Sequence, residues 1–163
     1  MMPPSAFLRD TFLPDLGPGA GVALWGFRAC AVGHSECCSL IRGLEHFFGN
    51  EGGQVLSHLL RLAQIIGNEG RRKVRLAMPG CAHLTHDEAS LLSAFSAAQV
   101  YDQALRDAHL SWLLGCAPSD HIRTHVQSLA DAFDRRAIVI KAPSSSVQAK
   151  AHEGPDRAAS WLN

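Results

Sequence analysis

Along most of this chain the apolar residues recur at close to the helical period. Leu40, Ile41, Leu44, Phe47 and Phe48 fall at i, i+1, i+4, i+7 and i+8, which is one stripe of an amphipathic helix. Val55, Leu59, Leu62 and Ile66 repeat at i, i+4, i+7 and i+11, with Leu56, Leu60 and Ala63 beside them, and predict a helix over 54–66. Ile122, Val126, Leu129 and Phe133 repeat in the same way behind Ser119, a good helix cap. The segment 20–32 carries Val22, Leu24, Trp25 and Phe27 nearly all round, as a short buried helix would. A helix over 86–99 turns Leu91, Leu92, Phe95 and Ala98 inward. Asp102 begins another, with Leu105, Ala108, Trp112 and Leu113 inward, or the two join through a kink. Gly33, Gly49-Asn50, Gly52-Gly53, Gly67-Asn68, Gly115 and Pro118 punctuate the series. The pattern predicts a mainly α fold: about six helices in an antiparallel, bundle-like single domain.

Two stretches depart from that period. Val74, Leu76 and Met78 alternate with Lys73, Arg75 and Ala77, so 74–78 reads as extended with one face inward. Pro79-Gly80 then breaks it. Residues 137–140 are Ala-Ile-Val-Ile, short and β-branched. This segment either pairs with 74–78, as 137–141, to give a small two-stranded element, or lies on the core as an extended tail. Directly after the break, Thr85 and Glu88 have the spacing of a capping box, and Asp87 and Glu88 lie at the positive end of the helix that follows. The ends differ from the middle. Residues 1–19 hold four prolines and little periodicity, reading as a flexible arm, with Phe7, Leu8, Phe12 and Leu13 as the residues able to dock on the body. The helical domain covers 20–141. Residues 142–163 are rich in Ser, Ala and charge and read as a disordered tail, with Trp161 and Leu162 as a docking spot.

Composition narrows the setting. With 163 residues, 47% of them hydrophobic, the chain can bury a core of its own. Fifteen basic residues balance fifteen acidic ones, so no global field favours nucleic acid. The charged fraction of 18% is low, and it favours a protein partner or self-association over a bare monomer. Five cysteines, two of them adjacent, with no secretory pattern at the N-terminus, point to reduced thiols in a cytoplasm. The longest apolar stretch, 20–32, is interrupted by Gly26 and Arg28 and is too short for a membrane span.

Candidate chemistry gathers around 71–88. Cys81, His83 and His86 form C-x-H-x-x-H, and zinc is the metal that such a set would take, with His121, His125 or Cys116 as the fourth ligand. No standard paired-cysteine spacing accompanies them. Cys30, His34, Cys37 and Cys38 form a second grouping at a helix-to-helix turn. His121 and His125 share a helix face, but Ile122 stands where a metalloprotease would carry its general-base glutamate. Cys81 as a nucleophile would draw on the neighbouring cations and histidines, yet no orienting acid or oxyanion hole can be named. The glycines of 17–21 lack both a preceding strand and a Walker lysine. Arg71, Arg72, Lys73 and Arg75 form a basic edge able to meet phosphate or an acidic protein surface. Without interleaved aromatics it lacks the make-up of a single-strand nucleic-acid site. The bland alternative is a solvated loop neutralised by Glu69, Asp87 or Glu88.

The pattern R-R-x-x-R-L-x-x-P-G-C-x-x-L-T-x-D-E over 71–88, followed by Leu91, Leu92 and Ala97-Ala98-Gln99, resembles a small family of helical bacterial proteins of no established activity. The likeness runs from about Cys37 to Phe133. It implies a helical fold and no reaction. Good helices without an assembled catalytic set lead to one expectation: a non-enzymatic binding or regulatory module presenting the basic edge and the turn at 71–88. The competing expectation is a metal-binding or thiol-based enzyme or sensor centred on Cys81, His83 and His86.

Overall fold

The computed structural model describes residues 7–143, with side chains from Thr11 onward. The expected tail lies outside the described residues from 144 on, Trp161 and Leu162 included. Strand β1 (Phe7–Phe12) and a 3₁₀ turn (Leu13–Leu16) lead into α1 (Gly17–Ala31). There follow α2 (Cys38–Phe48), a second 3₁₀ turn (Gly49–Glu51), α3 (Gly52–Glu69), strand β2 (His83–Thr85), α4 (His86–Gln99), α5 (Gln103–Leu114) and α6 (Asp120–Arg135). The fold is mainly α with one small antiparallel sheet. No helix among the described residues is long and apolar enough to cross a membrane.

The stripes of α3, α4 and α6 do what their period demands, and α2 buries Leu40, Leu44 and Phe48 while Ile41 and Phe47 of its expected stripe are exposed. α3 lies against α1, α2 and α6, and α4 lies against α5 and α6. Leu59, Phe95 and Val126, one from each of α3, α4 and α6, are exposed by only 1%, 1% and 0%, which puts all three stripes in one core. Phe48 meets Phe133 edge to face, with centroids 4.8 Å apart, a favoured aromatic geometry. Thr85 caps α4 as its spacing required. Its hydroxyl accepts from the Glu88 amide at 3.0 Å, and the Glu88 carboxylate accepts from the Thr85 amide at 2.9 Å.

Four expectations need correction. First, the arm is ordered from Phe7. β1 pairs antiparallel with β2, with Phe7 opposite Thr85 and Phe12 opposite His83, and Leu13 and Leu16 are buried. The prolines and glycines concealed this. The glycine run is the opening turn of α1, where the Val139 backbone lies so close that a Cβ on Gly19 would collide with its carbonyl. Second, 74–78 and 137–141 do not pair. The Gln99 side-chain amide takes the place of a strand partner for the latter, donating to Ile138 O at 2.9 Å and accepting from Ile140 N at 2.7 Å. Third, the inward alternation of 74–78 ends at Ala77. That residue is buried and Met78 is 70% exposed, because the Ala77 amide is drawn to Glu88 at 2.8 Å. Fourth, α5 is the separate helix capped by Asp102 that one expectation had, but its inward face is Arg106, Leu110, Leu113 and Leu114, of which only Leu113 was expected. Leu105 and Trp112 are exposed, and Ala108 is too. Leu110 and Leu114 dominate the stripe, and Trp112 is covered from outside by the Arg72 guanidinium 4.6 Å from its ring.

Candidate functional site

The loop between α3 and β2 has little regular structure of its own, yet it is fastened towards both ends. The main fastener is Arg28, the lone cation in the apolar helix α1. It is fully buried, as is Glu88. A buried charge is tolerated only when paired and hydrogen-bonded, and here every valence is used. Arg28 Nε and Nη2 donate to the two Glu88 oxygens at 2.7 and 2.8 Å. Nη1 donates to Cys81 O at 2.7 Å and Met78 O at 3.3 Å, and Nη2 also donates to His83 O at 2.8 Å. Glu88 in turn accepts from the amides of Ala77 and Thr85. One ion pair therefore binds the Pro79–Gly80 corner to α1 and to the first turn of α4.

Asp87 fastens the preceding residues. Its carboxylate accepts from Arg72 at 2.7 Å and from the Arg75 amide at 2.6 Å. The Thr85 hydroxyl donates to Arg75 O at 2.7 Å, and the Arg71 amide donates to Leu114 O at 2.7 Å. Arg72 also donates to Leu113 O at 3.2 Å while covering Trp112. Arg72 thus serves the fold rather than the edge.

The other three cations of the run are placed differently. Arg71, Lys73 and Arg75 are exposed, while Arg72, Val74 and Leu76 between them are half-buried. This is the alternation of an extended chain. Among the described residues no acidic side chain pairs with Arg71, Lys73 or Arg75. Of the carboxylates nearest in sequence, Asp87 is paired with Arg72 and Glu88 with Arg28, while the exposed Glu69 accepts from the Ser119 hydroxyl at 2.6 Å and keeps its charge. Behind the stripe runs a groove of about 430 Å³, lined by α1 (Phe27, Cys30, Ala31), α3 (Leu60, Ala63, Gln64, Ile66, Gly67) and Arg72, Lys73, Val74 and Leu76. Its size and mostly apolar lining are those of binding clefts.

The Cys81 grouping does not assemble. No three His, Cys, Asp or Glu side chains among the described residues are gathered so as to hold a metal. Extended backbone at β2 and the start of α4 carry Cys81, His83 and His86 along the surface instead of around a point. Cys81 is half-buried and the two histidines are exposed. His83 stacks at a tilt on Phe12, with centroids 5.0 Å apart. Cys116 faces Glu69 O at 3.6 Å, and His121 is exposed on α6. His125 is turned to α3, where its Nδ1 lies 2.9 Å from His58 Nδ1. Burial lowers the pKa of both rings. Arg135 lowers that of His58 further, and His58, Arg61 and His121 lower that of His125. All five cysteines are free thiols. Burial pushes the Cys30 thiol up to about 11, so it faces the groove protonated. Cys37, exposed at the start of α2, is held below its ordinary value by the Leu40 and Ser39 amides.

Two participants escaped the sequence reading. Arg28 stood there only as an interruption of an apolar run. The usable signal was a lone charge on a helix apolar nearly all round, which has to find a counter-charge. His58 carried no signal, since its partner lies 67 positions away. No family model, curated protein or solved structure matches this chain.

Proposed function

We propose that the chain is a non-enzymatic binding module, and that Arg71, Lys73 and Arg75, with the groove behind them, form its contact surface for an acidic protein partner. The observation that carries this reading is the uncompensated stripe. Three cations project from backbone that Asp87, Thr85, Glu88 and Arg28 fasten down, so they are presented at fixed spacing with little ordering left to do on binding. Complementary charge steers such encounters and rejects cationic competitors. A cytoplasmic setting suits five free thiols. The metal- or thiol-centred alternative has no gathered ligand set behind it among the described residues.

Titration of the protein with an octaglutamate peptide at low ionic strength tests the reading. The wild type is expected to bind, and added salt to weaken binding as it screens exposed charges beyond about 10 Å at 0.1 M. Charge reversal in Arg71→Glu/Lys73→Glu/Arg75→Glu is expected to weaken it by about ten-fold or more, with the thermal midpoint nearly unchanged because none of the three side chains is hydrogen-bonded to another of the described residues. Equal binding by wild type and triple variant, or no binding by either, would remove the basic edge as the contact surface.

A further inference from the structure

We infer that residues 72–76 are an acceptor edge, onto which an extended peptide with alternating acidic and apolar residues adds as a strand. The inference rests on reading the basic edge as a contact surface, and it names the shape and chemistry of what that surface takes. It follows from where the backbone groups of the segment go. In an extended chain, successive N–H and C=O pairs point to opposite sides. Positions 75 and 77 are spent on the body of the protein: Arg75 N on Asp87, Arg75 O on the Thr85 hydroxyl, and Ala77 N on Glu88. The amides and carbonyls of Val74 and Leu76 therefore point the other way. Among the described residues they meet no hydrogen-bond partner. Val74 and Leu76 line the groove and Arg75 does not. A free strand edge thus borders an apolar trough, as in recognition by strand addition.

The alternation also sets the occupant's pattern. On an added strand, residues opposite Val74 and Leu76 share their inward face, where Leu60 and Ala63 of α3 form the far wall. Those residues are apolar. The residues between them project beside Lys73 and its neighbours, about 5 Å away in a cross-strand pair, and are acidic. A second copy of this chain is disfavoured as the occupant. Edge-to-edge self-pairing would bring two stripes of Arg71, Lys73 and Arg75 together, and lysines on an edge are a common guard against that.

The test uses the whole protein and four capped eight-residue peptides: a Val-Glu repeat, the same repeat N-methylated on the valines, the same repeat N-methylated on the glutamates, and octaglutamate. Affinity is read by anisotropy, and the Val74 and Leu76 amides are followed by NMR hydrogen exchange. The Val-Glu repeat is expected to bind more tightly than octaglutamate and to protect both amides. One methylated peptide, the one whose methyls face the edge, is expected to lose about ten-fold or more, while the other binds as before. If octaglutamate and all three repeats bind alike, strand addition is wrong and the basic edge survives. If none binds, both readings fall. Protection of Val74 and Leu76 that rises with protein concentration alone would give the edge to a second copy and overturn the proposal.

Discussion

The Arg28–Glu88 pair shows how one residue can organise a loop distant in sequence. An isolated buried ion pair can often be exchanged for apolar residues at little cost, whereas removal of one partner costs about 3–5 kcal/mol. Here three carbonyls and two amides also depend on the pair. Glu88→Gln is expected to lose about 3–5 kcal/mol in urea denaturation. The double variant Arg28→Met/Glu88→Leu is expected to recover little, because the Cys81 carbonyl and the Ala77 and Thr85 amides lose their partners, while Met78 O keeps the Cys81 amide. A double variant within about 1 kcal/mol of wild type, the scale of one ordinary hydrogen bond, would show that they find other partners. Thiol reactivity is a second matter at this scale. Cys37 is exposed with a lowered pKa, and Cys30 is buried with a raised one. Near pH 8, iodoacetamide followed by peptide mapping is expected to find Cys37 alkylated well before Cys30; the reverse order would contradict the placement of both. From sequence, the capping box at Thr85 and Glu88 was legible because its parts are three residues apart. The clasp was not, because Arg28 and Glu88 are separated by 60 positions.

At the scale of elements, local period was a good guide for α3, α4 and α6, misplaced the inward face of α5, and was a poor guide wherever a side chain stood in for backbone. The stripes of α3 and α6 are buried as their spacing required, whereas α2 buries Leu40, Leu44 and Phe48 and leaves Ile41 and Phe47 exposed. The expected pairing of 74–78 with 137–141 failed because Gln99 occupies one segment and Asp87 with Glu88 the other. No β-propensity encodes such a substitution. The α3–α6 contact carries a pH dependence of its own. In the His58–His125 bond one ring has to accept, so at least one is neutral. Both folded-state pKa values lie below the ordinary 6.5, so the unfolded chain binds more protons between the two states' values. The stabilisation is full above about pH 6.5 and is lost as pH falls through 6.5 and then through the lower values of the folded pair. Thermal midpoints measured down this range are expected to fall less steeply for His58→Gln/His125→Gln than for wild type. The remaining slope includes His109, whose pKa burial also lowers. Parallel decline of the two proteins would mean that the pair has no part in it.

At the scale of the whole molecule, balanced charge conceals a local imbalance. Acidic and basic residues are equal in number, but Asp87 and Glu88 are paired inside the fold with Arg72 and Arg28, leaving three cations together on one edge. The basic run was visible in the sequence, but which of its members remain available was not. That depends on partners reached through the fold, and Arg72 proved to belong to Asp87 and Trp112. The whole picture rests on the corner being held rigidly on one side while its other side stays open. Backbone hydrogen exchange, resolved residue by residue on the free protein, measures this most directly. The amides of Arg75, Ala77 and Thr85 are expected to exchange slowly, near the rate set by global unfolding, and those of Val74 and Leu76 rapidly. Uniformly fast exchange from Arg71 to Thr85 would mean that the clasp does not hold the loop, and uniformly slow exchange would mean that no open edge exists.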